Sequence, residues 1–250
     1  MRQERLEKIE EYVSSNGFVT MEQIRDEFQI AMPTVRKDIS ELASQGLIEK
    51  VYGGAKAITK TGGHLHKFKN RESLHVAEKN TIAAKAAGLI DDGDVIYIDS
   101  GTTVASIFNY IGDKHVTVIT SNLAAINSIA GTENVDLYII GGKFNKDTMS
   151  VDNASACELI GGYNIDKAFM AATGYSIEGG IAQDSPTECE IKRFALERAT
   201  ESYLLIDSSK IGRKALIRYA EPDSIRTIVT DGAYDKEYKK YFKENGINII

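Results

Sequence analysis

Apolar side chains in the first sixty residues recur at helical spacing in three short blocks. Leu6, Ile9 and Val13 fall at i, i+3 and i+7, which predicts an amphipathic helix that stops at Asn16-Gly17, where a left-handed residue is easily accommodated. Ile24 and Phe28 form the stripe of a second helix, opened by Thr20 with Gln23 three residues on, the spacing of a reciprocal cap. A tight turn, Gln29-Ile30-Ala31, follows. Val35, Ile39 and Leu42 share one face of a third helix, with Pro33 in its first turn, where a missing amide costs nothing, and Gly46 at its end. The run LIEKVYGGAKAI then sets Gly53-Gly54 between two β-prone segments, which predicts a hairpin. Residues 58–73, ITKTGGHLHKFKNRES, carry no apolar period and predict a linker. From residue 74 apolar strand-like runs (94–99, 116–120, 135–140, 166–172, 203–206 and 227–230) alternate with helical stretches. That alternation predicts a mainly parallel sheet covered by helices. The expected division is a small helical domain over 1–57, a linker over 58–73 and an α/β domain over 74–250.

Composition agrees with two cores. At 250 residues and 42% hydrophobic, the chain can build one large core and a satellite. Cys157 and Cys189 are too few and too far apart for a disulfide framework, so both are expected as buried thiols in a reducing compartment. The opening MRQERLEKIEEYV lacks an apolar leader, and no apolar run approaches bilayer length; a soluble cytoplasmic protein is expected. The formal charge of −6 means that any contact with nucleic acid must come from a local cluster of cations rather than the overall field.

Such a cluster is present. Within residues 1–60 nine Lys/Arg face ten Asp/Glu, but the acids concentrate on the first two helices while the cations gather from the third helix through the hairpin. Burying Val35, Ile39 and Leu42 turns Lys37 and Ser40 outward, with Thr34 and Arg36 on the flanks. Cations that reach phosphate or guanine, mixed with small hydroxyls that allow close approach, suit a helix lying in the DNA major groove. Arg36 is the leading candidate for base contact. Lys50, Tyr52 and Lys56 on the hairpin are placed to meet the flanking backbone.

Ligands of open parallel sheets bind beyond the carboxyl ends of the strands, and those positions here are polar. Asp99-Ser100-Gly101-Thr102-Thr103 opens a helix predicted through residue 111, offering amides and hydroxyls to an anion. Ser121 and Asn122 follow the second run, Gly141 and Gly142 the third, and Lys210 lies in Asp207–Gly212 near the fifth. Together they predict a shared site for an anionic ligand. His64 and His66 form an HxH pair without a suitable third ligand nearby, so no metal site is assigned.

The residues also carry a family resemblance. Thr34-Val35-Arg36-Lys37-Asp38 and Gly53-Gly54-Ala55 resemble the winged helix-turn-helix of the DeoR family of bacterial sugar-metabolism repressors. Ile98–Thr103, Val118–Thr120, Gly141-Gly142, Asp166–Phe169, Glu188–Arg193 and Asp207–Gly212 resemble that family's sensor domain. The resemblance implies a fold similar to ribose-5-phosphate isomerase and CoA-transferase relatives. It implies a regulator of a sugar-metabolism operon without catalytic residues or cofactor, and a homodimer or homotetramer on double-stranded operator DNA. It also implies a phosphorylated sugar or related metabolite as effector, held by Asp99, Ser100, Gly101, Thr102, Thr103, Ser121, Asn122, Gly141, Gly142 and Lys210. Two departures stand out in the head: Ala31 replaces the usual capping Ser, and Lys50 replaces an Arg. The alternative reading is a sugar-phosphate isomerase with an appended helical domain, using Asp99, Glu188 or Lys210 for proton transfer. Against it, Asp166-Lys167-Ala168-Phe169 places an aromatic where the isomerases' D-G-A-D segment has its second acid.

Overall fold

The computed structural model describes residues 2–16, 18–45, 47–57, 68–153, 155–232 and 234–250, in two compact units that divide at His66/Lys67. His64 and His66 lie outside the described residues, as do Gly17 and Gly46.

The first unit runs α1 (Arg2–Asn16), β1 (Phe18–Thr20), α2 (Met21–Phe28), α3 (Met32–Ser44), β2 (Ile48–Val51) and β3 (Gly54–Ala57). The expected stripes form its core, except that Phe28 is only half-buried: Leu6, Ile9, Val13, Ile24, Val35, Ile39 and Leu42 are all buried, each worth about 1.5–3 kcal/mol when withdrawn from water. Thr20 and Gln23 cap α2 reciprocally, Thr20 Oγ1 accepting from Gln23 N (3.1 Å) and Gln23 Oε1 from Thr20 N (2.8 Å). Gln29 then takes a left-handed φ of 49° and turns the chain into α3. β1 and β2 flank β3 in an antiparallel sheet. The hairpin tip is Tyr52-Gly53 rather than the expected Gly53-Gly54. Gly53 supplies the positive φ of 79°, whereas Gly54 is already in β3, where a Cβ would lie 2.3 Å from the Val19 carbonyl. Close pairing of β1 against β3, not the turn, requires glycine there.

The second unit opens with α4 (Phe68–Ser73), in the segment expected to be linker, and α5 (Val76–Ala87). Phe68 is buried and its amide donates to Asp147 O at 2.9 Å; one apolar anchor is enough to dock this helix, and one anchor shows no period in sequence. β4 (Val95–Ile98), α6 (Thr102–Ala105), β5 (Val116–Thr120), α7 (Leu123–Ile129) and β6 (Val135–Ile139) follow. A hairpin of β7 (Lys143–Asn145) and β8 (Ser150–Asp152) then leads through α8 (Ala156–Gly161) to β9 (Ile165–Ala171). Next come β10 (Gly174–Ser176), β11 (Gly180–Gln183), α9 (Pro186–Arg198) and β12 (Ala199–Leu205). The described chain closes with β13 (Ile217–Ala220), β14 (Thr227–Val229), α10 (Lys236–Glu244) and β15 (Asn248–Ile249).

Seven parallel strands in the order β15-β14-β12-β9-β4-β5-β6 make the main sheet, and β10-β11-β13 form a small antiparallel one. Strand periodicity sends alternate residues to opposite faces. Tyr97, Ile119, Met170, Leu204 and Ile228 pack under Ile160 of α8, Ala195 of α9 and Phe242 of α10. Ile96, Ile98, Val118, Phe169, Leu205 and Val229 pack under Ile82 of α5, Val104 of α6 and Ala125 of α7. Burial on both faces explains why these strands are continuously apolar in sequence. Cys189 is buried as expected, but Cys157 keeps partial exposure. Among the described residues no helix is long and apolar enough to cross a membrane.

Candidate DNA-reading and effector sites

α3 presents the surface that its apolar stripe dictates. Arg36, Lys37 and Ser40 are exposed and Thr34 is partly so. Asp38 is buried beside the stripe, and Arg5 of α1 grips both its oxygens along one guanidinium edge, Nε–Oδ2 at 2.7 Å and Nη2–Oδ1 at 3.3 Å. This paired contact fixes the roll of α3, and so the direction in which Arg36 points. Lys50 Nζ on β2 donates to Ser40 Oγ at 2.8 Å, tying wing to helix. Tyr52 is fully exposed at the wing tip, and Lys56 is exposed on β3. Ala31 sits at the head of α3 in extended backbone, with no side-chain cap.

In the second unit the chain runs outward from β4 to β6, then returns to β4's other side with β9 and runs outward again to β15. The crevice between the carboxyl ends of β4 and β9 is therefore the point where strand order reverses, the place where open α/β sheets bind ligands. Asp99 lies at its floor, 2% exposed. Its Oδ1 accepts from Ser100 N (2.7 Å), and its Oδ2 accepts from Ala171 N (2.8 Å) and from the fully buried Lys192 ammonium. Lys192 also donates to Ala171 O (3.2 Å), as does Tyr219 OH (2.9 Å). Ser100 Oγ donates to Glu188 Oε1, whose other oxygen accepts from Gln183 Nε2 at 2.8 Å. Gly101 must be glycine, because a Cβ there would stand 2.9 Å from Ala171 Cβ. Asn122 is consumed as a staple: Nδ2 donates to Asp99 O and Gly101 O, and Oδ1 accepts from Ala124 N and Ala125 N at the start of α7.

Cations line the β12 side of this mouth. Lys210 Nζ stands 3.4 Å from Asp207 Oδ2; Ser208, hydrogen-bonded through N and Oγ to Asp231 at 2.7 Å each, sets that turn. Burial lowers the Lys210 pKa, opposed by Asp207 and reinforced by Arg71. Burial works against charge on Asp207, yet Lys210, Ser209, His75 and Lys79 together hold its pKa below the usual value. Lys79 is brought down to about 8, chiefly by burial and then by Lys210, while its ammonium donates to the carbonyls of Arg71 and Leu74. A cavity of about 200 Å³ adjoins, walled by Phe68, Glu72, Lys79, Thr102 and Ser106.

Comparison with known proteins decides the family. Residues 5–61 match the DeoR-like helix-turn-helix domain, and residues 74–232 match the DeoR C terminal sensor domain. The chain belongs to the DeoR family. It is 40% identical over 250 residues to the HTH-type transcriptional regulator IolR of Bacillus subtilis (strain 168), covering 100% of this chain and 99% of the relative. It is 30% identical over 246 residues to the lactose phosphotransferase system repressor of Lactococcus lactis subsp. lactis, covering 97% and 96%. Among solved structures, the full-length sorbitol operon regulator SorC of Klebsiella pneumoniae aligns over 90% of this chain and 93% of that one, at 12% identity and a TM-score of 0.46. This DeoR-family chain is a DNA-binding transcriptional regulator.

The structure of this DeoR regulator sorts the residues expected to hold an effector. Ser100, Gly101, Thr102, Thr103 and Lys210 come from the two strands that flank β9. Asp99 and Asn122 spend their polar atoms on the backbone and Lys192, so they shape the loop rather than face the crevice. Ser121 is buried at the neighbouring strand end. Gly141 and Gly142 follow the edge strand β6, two strands from β4; Gly142 is required by Asp152 O, 2.5 Å from where its Cβ would be, whereas Gly141 borders open space. The helix expected through residue 111 is a four-residue α turn followed by a 3₁₀ turn, Ser106–Asn109, so its aligned dipole is short. The isomerase-like positions face elsewhere: Asp166 accepts from Val95 N at 2.8 Å at the amino end of the sheet, and Phe169 is core. Arg71, Lys79 and Lys192 do not follow strands, so a search of strand ends passes over them.

Proposed function

We propose that this regulator represses a sugar-metabolism operon in the cytoplasm and that a phosphorylated sugar or related metabolite, bound in the β4/β9 crevice, changes its hold on operator DNA. The observation that carries the reading is the reversal of strand order at a loop of glycine and hydroxyls, Ser100–Thr103, with Lys210 across β9. A relative of similar length is named a repressor of a phosphotransferase system, which accords with phosphorylated sugar as the signal. In this reading Arg36 contacts base edges, Thr34 and Ser40 line the groove, and Lys37, Lys50, Tyr52 and Lys56 meet the backbone. A homodimer or homotetramer places two heads on paired half-sites. A coupling of about 1–3 kcal/mol between the sites is sufficient to alter occupancy.

Two titrations test it. Arg36→Ala is expected to weaken operator binding by about 1–3 kcal/mol in a gel-shift assay; unchanged affinity removes Arg36 from the interface. Thermal-shift screening with fructose 1-phosphate, glycerol 3-phosphate and tagatose phosphates is expected to find a stabilising compound, since a ligand at 100 times its Kd adds about 2.7 kcal/mol. No stabilisation by any phosphorylated compound counts against the effector class.

A further inference from the structure

Two buried side-chain donors among the described residues lack a hydrogen-bond partner, Arg71 Nε and Thr103 Oγ1; a third unpaired atom, Asp207 Oδ2, is an acceptor that lies 3.4 Å from the Lys210 ammonium. Buried polar groups are almost always paired, so each unpaired one calls for an explanation, and an absent ligand is one. The three are not scattered. Thr103 is in the first turn of α6 beyond β4, Asp207 follows β12, and Arg71 is on α4, which packs against α6. Lys210 joins them from the turn that Asp207 begins.

Arg71 has no role in the fold that uses its guanidinium fully. Its plane stands 5.7 Å from the Phe68 ring centre, and its charge is felt at Lys79 and Lys210 and answered by Glu188 and Asp184. Arg71, Lys79 and Lys210 are three cations gathered in partly or wholly buried positions; Asp207, 3.4 Å from Lys210, answers part of that charge, and a bound anion would answer more of it. Lys79 spends its protons on the carbonyls of Arg71 and Leu74, which pins the end of α4 and leaves the Arg71 fork as the free donor. Guanidinium suits the purpose, because its planar donors match the oxygens of a phosphate pairwise.

We propose that Arg71 binds the anionic group of the effector together with Lys210, so that the first helix after the segment joining the two units is itself part of the ligand site. The proposal rests on the effector reading above and adds to it a residue and a route. Ligand occupancy then restrains α4 directly, and α4 is where the chain leaves residues 58–67 on its way from the DNA-reading unit. Lys79 acts as a positioning residue for α4.

The experiment uses the full chain with inorganic phosphate, glycerol 3-phosphate, fructose 1-phosphate and glucose 6-phosphate, and with fructose and glucose as uncharged controls. Thermal shift identifies the phosphorylated compound that stabilises the wild type, and calorimetry gives its affinity. Arg71→Gln is expected to weaken that compound about tenfold or more, and the concentration that changes operator binding in a gel shift is expected to move by the same factor. Arg71→Lys, which keeps the charge and loses the fork, covers the case in which the Gln variant does not fold, and is expected to weaken binding in the same direction. Wild-type affinity in both Arg71 variants, with binding abolished by Lys210→Met, overturns the Arg71 assignment while leaving the effector reading intact. Equal stabilisation by fructose and fructose 1-phosphate, or none by any compound, overturns both.

Discussion

Substituting Lys192 by Met tests whether the floor of the crevice is held by a buried charge pair. The variant retains the length and apolar stem of the side chain and removes only the ammonium that meets Asp99 Oδ2. Ala171 O keeps a donor, Tyr219 OH at 2.9 Å, so the loss concentrates on one carboxylate, 2% exposed. Breaking a buried pair from one side typically costs about 3–5 kcal/mol. Asp99 keeps Ser100 N at 2.7 Å and Ala171 N at 2.8 Å, which places the expectation at the low end, about 3 kcal/mol. Lys214→Met is the matched control. Lys214 pairs with Glu178 at similarly close range, but the two side chains are 61% and 80% exposed, and such a pair contributes about 0–1 kcal/mol. Urea unfolding followed by near-UV tyrosine signal reports mainly on the sensor unit, since only Tyr12 and Tyr52 of the 12 tyrosines lie before residue 67. A midpoint shift in Lys192→Met no larger than in Lys214→Met refutes the argument that burial, rather than contact, sets the energy of this pair.

Other outcomes follow from the same geometry. Gly101→Ala, whose Cβ meets Ala171 Cβ at 2.9 Å, is expected to lower sensor stability by about 1–3 kcal/mol, whereas Gly141→Ala enters open space and is expected to stay within about 0.5 kcal/mol; equal effects in thermal melts contradict this distinction. Ala31→Ser is expected to add about 1 kcal/mol to the DNA-reading unit by capping α3, and a circular-dichroism melt of the full chain that shows no rise in its helical transition counts against it. Lys79 has a folded pKa near 8, below the 10.5 of a free lysine, so the unfolded chain binds more protons between these values and stability is expected to rise with pH across that window. Lys79→Met is expected to abolish that rise in Tm against pH; a wild-type slope in the variant excludes Lys79 as its source.

Regular periods were the most legible part of the sequence. Leu6, Ile9 and Val13, and Val35, Ile39 and Leu42, announce helices because each face is buried against a continuous core, and Thr20 with Gln23 announces a helix start because both partners of the cap are local. Three-residue strands such as β7, β8 and β10 have too few positions to show alternation. Residues 68–73 read as linker because their single buried anchor, Phe68, makes no pattern. At the crevice, residue type at a strand end was visible but partnership was not. Asp99 reads as a ligand until Lys192, 93 residues later, occupies it. Arg71 and Lys192 lie on helices, where charged residues are ordinary; Lys192 falls within the Glu188–Arg193 resemblance, but its contact with Asp99 shows only in the fold.

The reversal at β4 and β9 also bears on how the chain is made. β4 ends at Ile98 and β9 begins at Ile165, so one wall of the crevice is complete many residues before the other is synthesised. Lys192 and Lys210 come later still. Domains fold as units, amino-terminal first, during synthesis, and the winged head, complete by Ala57, is the first to emerge. For an interval each new chain therefore carries the complete winged head before the two walls of the β4/β9 crevice can meet. On the proposed reading, premature termination between β3 and β9 is expected to leave a fragment that has the winged head but not both walls of the ligand crevice together.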